Sequence, residues 1–175
     1  KKKIVLNQKE FNELRIKQAQ LMNKDKKLIK DAINILTRAD NYMFIHQSNF
    51  LGQPSLNLSQ DLFLFQEIIW KSKPDVVLEI GMAWGGTSLY LANILSLVTN
   101  GKVICIDKFV PEHVKRNIQK HKKLSKNIKI FQGISTDKKI INKIKTIIRK
   151  KKVMVILDSD HTEENVLKEL NIYSK

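Results

Sequence analysis

Four short apolar runs recur through the second half of the chain: Val76 to Ile80, Lys102 to Ile106, Ile128 to Phe131 and Val153 to Leu157. Each is rich in β-branched residues and bounded by Gly, Asn or charged residues, the pattern of strands buried on both faces. Between them lie stretches of helical length and pattern: Thr87 to Leu97, Val110 to about Leu124 and Lys138 to Arg149, with Thr162 to Tyr173 after the last run. Parallel strands need long crossovers, so strict alternation of strand and helix predicts a parallel sheet covered on both faces. The expected fold class is α/β, a doubly wound, mostly parallel, Rossmann-like sheet. Four strands leave an apolar edge. The sheet is therefore expected to be incomplete here, with continuation beyond Lys175 favoured over cover by the N-terminal segment or by a partner chain in a homo-oligomer.

Upstream, apolar residues recur at helical spacing from Gln8 to about Asn23 and from Asp25 to about Ala39. Asn41 to Leu58 has no clean period and carries Gly52 and Pro54, so it reads as an ordered loop in which Tyr42, Phe44 and Phe50 need cover. Ser59 is expected to cap a helix through Trp70, with Leu62, Phe65, Ile68 and Ile69 as its buried stripe and Pro74 as its stop. The expected organisation is an N-terminal helical extension and loop over 1–58, packed as a cover on a sheet domain over 59–175.

An apolar content of 42% allows a real core. No apolar run reaches membrane-spanning length, and the Lys-rich start lacks the features of a signal peptide, so no membrane partner and a cytoplasmic location are expected. The single cysteine, Cys105, lies in an apolar run and reads as a small buried hydrophobe. Thirty-two basic against 17 acidic residues give a formal charge of +15. That charge would attract polyanions. Its lysines, however, are spread over Lys24 to Lys30, Lys115 to Lys126 and Lys138 to Lys152 with few aromatics between them, which favours a solvated surface over a nucleic-acid footprint.

The chemistry concentrates at the strand ends. The first strand runs through Glu79 into Gly81, Met82, Ala83, Trp84, Gly85, Gly86, Thr87 and Ser88 before a helix begins. Glycines at such a turn let backbone approach a ligand, and the helix start offers unpaired amides. The Gly-x-x-x-Gly-Gly spacing departs from the dinucleotide fingerprint. Glu79 suits a ligand with cationic character. Asp107 ends the second strand, where an acid can accept both hydroxyls of a ribose. Ser135, Thr136 and Asp137 after the third strand suit either an adenine-lining or a helix-capping role. The fourth strand ends in Asp158, Ser159, Asp160 and His161, groups capable of holding Mg²⁺, although Asp160 and Thr162 also suit a helix cap.

In order and spacing, these residues resemble the cephalosporin hydroxylase family, which includes rhamnosyl O-methyltransferases. They are joined by Gly52-Gln53-Pro54, Asp61, Gln66 to Trp70, Pro74-Asp75, Gly101 to Ile104 and Val155 to Leu157. The resemblance spans about Tyr42 to Tyr173 and implies a class I S-adenosylmethionine-dependent methyltransferase. It implies that Glu79, Gly81, Gly85 and Ser88 hold the methionyl part of the cofactor and Asp107 the ribose; Met82, Ala83 and Thr87 on the same turn, and Ser135, are further cofactor-binding candidates. It makes Asp158, and with less weight Asp160, a metal ligand; similar enzymes add an acidic pair after a further strand.

The expected reaction is attack of a small-molecule or sugar hydroxyl on the cofactor's methyl carbon, with Asp158, Asp160 and His161 as catalytic candidates. Asp158 would position Mg²⁺ and His161 would assist as base. Two rivals are weaker. A hydroxylase would want two His and a carboxylate, and of His46, His113, His121 and His161 two lie in a Lys-rich helix. A non-catalytic binding module with a basic surface has no need for three acids around one crevice.

Overall fold

Between Phe44 and Ile45 the chain divides into two units, and the computed structural model describes residues 6–174. In the first unit, α1 (Gln8–Met22) starts at a reciprocal cap: Asn7 accepts from the Glu10 amide and the Glu10 carboxylate accepts from the Asn7 amide. Two donors that a helix start leaves unpaired are thereby satisfied. α2 (Lys26–Asp40) starts on Asp25, whose carboxylate accepts from the Leu28 amide at 2.9 Å. No residue of either helix is buried.

The second unit opens with a feature absent from the expectation. Within the Asn41 to Leu58 stretch, β1 (Asn49–Phe50) and β2 (Gln53–Pro54) pair antiparallel. Leu51 and Gly52 turn the hairpin with φ of 50° and 79°, the handedness that matches strand twist. α3 (Ser59–Ser72) follows, but Ser59 is its first residue rather than its cap; the cap is Leu58, without a side-chain bond. The Ser59 hydroxyl instead lies 3.3 Å from that of Ser48. Leu62 and Ile69 are buried, whereas Ile68 faces outward.

From there the alternation is as expected: β3 (Val76–Ile80), α4 (Gly86–Val98), β4 (Lys102–Asp107), α5 (Glu112–Lys120), α6 (Lys122–Ser125), β5 (Ile128–Gln132), α7 (Lys138–Ile148), β6 (Val153–Leu157) and α8 (Glu163–Tyr173). One expected helix, Val110 to Leu124, is two. Pro111 caps the first, and His121, at ψ 65°, breaks the chain between them.

The four long strands form one parallel sheet in the order β5-β4-β3-β6. Alternating side chains build two cores. Val77, Val103 and Cys105 pack with Ile69, Leu89 and Ile118 from α3, α4 and α5. On the opposite face, Leu78, Ile80, Ile104 and Ile106 pack with Ile144 from α7 and Tyr173 from α8. This is the doubly wound arrangement: helices on both faces bury β3 and most of β4, which is why those runs are almost wholly apolar, whereas β5 is only partly covered and carries exposed Lys129. No helix among the described residues is long and apolar enough to cross a membrane.

Candidate functional site

The strand order reverses between β3 and β6, and ligands of doubly wound sheets bind outside the carboxyl ends of the strands at such a point. A crevice of about 600 Å³ opens there, within the size range of small-molecule sites. Of the candidate residues, Gly81, Met82, Ala83, Thr87, Asp107, Ser135, Asp158, Asp160 and His161 line it, whereas Glu79, Gly85 and Ser88 do not.

The floor is the glycine turn. Gly81 has φ 92°, and a Cβ there would sit 2.0 Å from the Asp158 carbonyl oxygen, so the ends of β3 and β6 approach to a distance only glycine allows. Gly85, at φ 79°, caps α4. A Cβ on Gly86 would meet the Pro54 carbonyl at 2.3 Å, which is how the β1–β2 hairpin reaches the start of α4.

Asp107 locks this turn from β4. Its Oδ2 accepts from the amides of Met82 at 2.9 Å and Ala83 at 3.1 Å, and its Oδ1 accepts from Phe109 at 3.1 Å. A carboxylate has about four acceptor positions. Three are taken, which leaves one for a ligand hydroxyl where a ribose pair would use two.

Glu79 occupies a different place from the one its chemistry suggested. In register it lies between Cys105 and Ile156, and the strand pleat points it the same way as Val77, into the layer under α4. It is 1% exposed, accepting a short hydrogen bond from Ser88 Oγ and a weaker one from Cys105 Sγ at 3.3 Å. Burial pushes its carboxyl up to about 7, against the lowering effect of those two donors. Glu79 and Ser88 thus support the floor from beneath. Burial likewise raises the Cys105 thiol well above its ordinary value, which fits a structural cysteine.

At the β6 end, Asp158 Oδ1 lies 3.5 Å from His161 Nε2. Burial raises the Asp158 carboxyl, while a hydrogen bond from the Asn57 side chain and the His161 charge pull it down. Asn57 also accepts from Thr87 Oγ1 at 2.7 Å, and Thr87 is 2.8 Å from Ser55 Oγ. The hairpin segment is thereby wired to both the glycine turn and Asp158. Asp160 is committed elsewhere: its Oδ1 accepts from the Thr162 amide at 3.0 Å, and that bond holds its carboxyl below the usual range. Thr162 caps α8 and Asp137 caps α7, whereas Ser135 lines the crevice together with Gly133 and Ile134.

Sequence reasoning passed over Ser55, Asn57 and His46, all from the aperiodic stretch, and Glu169, which lies buried behind Ser135 and Ser159. The only signal for the first group was the cluster of polar residues just before α3. His46 and His161 both line the crevice, but among the described residues no three His, Cys, Asp or Glu side chains gather as a metal site. His113 lies outside the crevice lining, its ring 5.6 Å from that of Trp84.

A family model described as Rhamnosyl O-methyltransferase/CmcI matches residues 42–175. Rhamnosyl O-methyltransferases of Mycobacterium tuberculosis and Mycobacterium leprae are similar to this chain. The first is 26% identical over 129 residues, 72% of this chain and 51% of its own length. The second is 27% identical over 133 residues, 71% and 53%. The chain spans about half the length of these curated relatives. A solved structure of CmcI with Mg and SAM shares the fold at 17% identity and a TM-score of 0.51, covering 71% of this chain and 51% of that one.

Proposed function

The chain belongs to the Rhamnosyl O-methyltransferase/CmcI family, and from that premise we propose that its sheet unit is the cofactor-binding part of an S-adenosylmethionine-dependent O-methyltransferase acting on a sugar hydroxyl. The observation that carries this reading is the convergence of the glycine turn, Asp107, Ser135 and Asp158 on one crevice. Its volume suits an adenosyl group, its floor is backbone made approachable by Gly81, and Asp107 keeps one acceptor position for a hydroxyl. Bound there, the cofactor would supply a methyl carbon made electrophilic by its sulfonium.

The chain's own residues then have two tasks. Asp107, the 81–85 turn and Ser135 hold one reactant in a fixed pose, and such orientation is worth up to about 7–11 kcal/mol in well-aligned systems. Asp158 and His161 receive the proton of the attacking hydroxyl. Asp158 is a stronger base than an ordinary carboxylate because burial raises its pKa, and His161 at 3.5 Å shares the charge.

Magnesium fits these residues poorly. Asp158 already accepts from the Asn57 side chain and faces His161, Asp160 accepts from the Thr162 amide, and no group of three acidic, His or Cys ligands gathers there among the described residues. The proton route is therefore assigned to Asp158 and His161. Calorimetric titration with S-adenosylmethionine, with and without Mg²⁺, tests the reading. One saturable site per chain is expected, with affinity unchanged by Mg²⁺; no heat at any concentration overturns the assignment.

A further inference from the structure

Behind the crevice wall formed by Ser135 and Ser159 lies Glu169, a carboxylate 1% exposed on α8. Its Oε1 accepts from Ser135 Oγ at 2.5 Å and from Ser159 Oγ at 3.0 Å, while Oε2 is buried with no hydrogen-bond partner among the described residues. One helical turn on, the Tyr173 hydroxyl donates to the Ser135 carbonyl at 2.6 Å. Two residues of one helix therefore grip Ser135 by side chain and backbone. The same carboxylate ties the turn after β5 to the turn after β6.

Burying a carboxylate without a cation is costly, and leaving one of its oxygens unpaired adds to the cost. A tie between two serine hydroxyls needs only a neutral acceptor, so the carboxylate calls for a reason beyond holding the turns together. Its effect on the serines supplies one. A serine hydroxyl has a single proton, and a carboxylate only accepts. With both protons committed to Oε1, Ser135 and Ser159 have only lone pairs left to show the crevice.

We propose that Glu169 is a positioning residue that sets the hydrogen-bond polarity of this wall, making it select a ligand group that donates, such as the exocyclic amine of adenine, over one that accepts. The inference rests on the cofactor reading above but concerns a side chain outside the crevice lining. Tyr173, by holding the Ser135 backbone, keeps that hydroxyl's proton directed at Glu169 and its lone pairs toward the ligand.

The test compares S-adenosylhomocysteine with S-inosylhomocysteine, which carries a carbonyl acceptor in place of the amine. Calorimetry on the wild-type chain should give about tenfold or more preference for the adenosyl compound, the size expected when one buried hydrogen bond becomes a mismatch. In Glu169→Gln the amide can donate to one serine and release its hydroxyl proton toward the crevice, so the preference should shrink several-fold while the melting transition stays cooperative. Ser135→Ala deletes the programmed hydroxyl and should narrow the preference in the same way, giving a second reading if the Gln variant does not fold. Equal weakening of both ligands in these variants, or no preference in the wild type, overturns the role of Glu169 and leaves cofactor binding standing. Failure of the wild type to bind either compound overturns both.

Discussion

The two sides of the crevice are built differently. On the β3–β4 side the acids and the Thr87 hydroxyl are held by hydrogen bonds: Asp107 accepts from three backbone amides, Glu79 from Ser88 and Cys105, and Thr87 is held between Ser55 and Asn57. On the β6 side Asp160 and His161 are exposed and the Asp158–His161 pair is spaced at 3.5 Å. Side chains locked by supporting bonds suit a group that must bind one invariant ligand, whereas an open rim suits an incoming acceptor and a mobile proton. On the proposed function, the difference gives cofactor binding to the rigid side and proton transfer to the Asp158–His161 rim.

The sharpest way to break that division is at the seam. In Gly81→Ala the new Cβ would meet the Asp158 carbonyl oxygen at 2.0 Å and its carbon at 2.5 Å, on a backbone at φ 92°. Both strand ends must part, and we expect a loss of roughly 4 kcal/mol, the upper range for single substitutions. Urea denaturation checks this; a loss below about 1 kcal/mol would mean that the two walls are not in contact.

Next is the buried acid of the rigid wall. Glu79 holds its proton up to about pH 7 in the folded chain, against an ordinary value of 4.5. The unfolded chain releases that proton first as pH rises, so the unfolded state gains and stability falls from about 4.5 to 7, then levels off. The drop from this one group is roughly 3 kcal/mol. Glu79→Gln should lie flat through the same window in denaturation curves run at stepped pH; an unchanged slope in the variant would place the titration elsewhere.

On the open side the expected effect is kinetic. Asp158→Asn should lower turnover by about a hundredfold, or close to 2.7 kcal/mol, the lower range for loss of a general base. Cofactor affinity should stay within about twofold, because the binding wall is untouched. Release of S-adenosylhomocysteine in the presence of a sugar acceptor measures the first, and calorimetry the second. Because burial raises the Asp158 carboxyl, the acid limb of the rate profile should lie above the ordinary aspartate value. Parallel loss of rate and affinity would move Asp158 to the binding wall.

The same division explains what could be read from sequence alone. The strands were legible because their apolar, β-branched runs are bounded by Gly, Asn or charged residues, with burial fullest in β3 and β4, and Gly81 and Asp107 because strand ends in this fold have short-range causes. Glu79 was half legible. Its chemistry pointed to the ligand, but the two-residue period shared with Val77 points it under α4, and the acidic side chain drew the wrong emphasis. Ser55 and Asn57 were hidden because their contacts to Thr87 cross about 30 residues of chain without local periodicity. By local sequence Glu169 is one of several acids in α8. Only the arrival of Ser135 and Ser159, 34 and 10 residues away, makes it a buried acceptor.

The smallest effect is expected from the acid that the sequence pattern marked as a partner of Asp158. Asp160 accepts from the Thr162 amide through Oδ1, and its own carbonyl accepts from the Asn165 side chain, so both bonds serve the start of α8. Its carboxyl is held low by that amide bond rather than by the crevice. Asp160→Ala should therefore lower the melting temperature slightly through the lost turn bond and change turnover by less than about twofold. A metal ligand or proton acceptor could not be removed so cheaply. If turnover of Asp160→Ala falls as far as that of Asp158→Asn, the two acids act together, and the open wall is an acidic pair rather than a carboxylate and an imidazole.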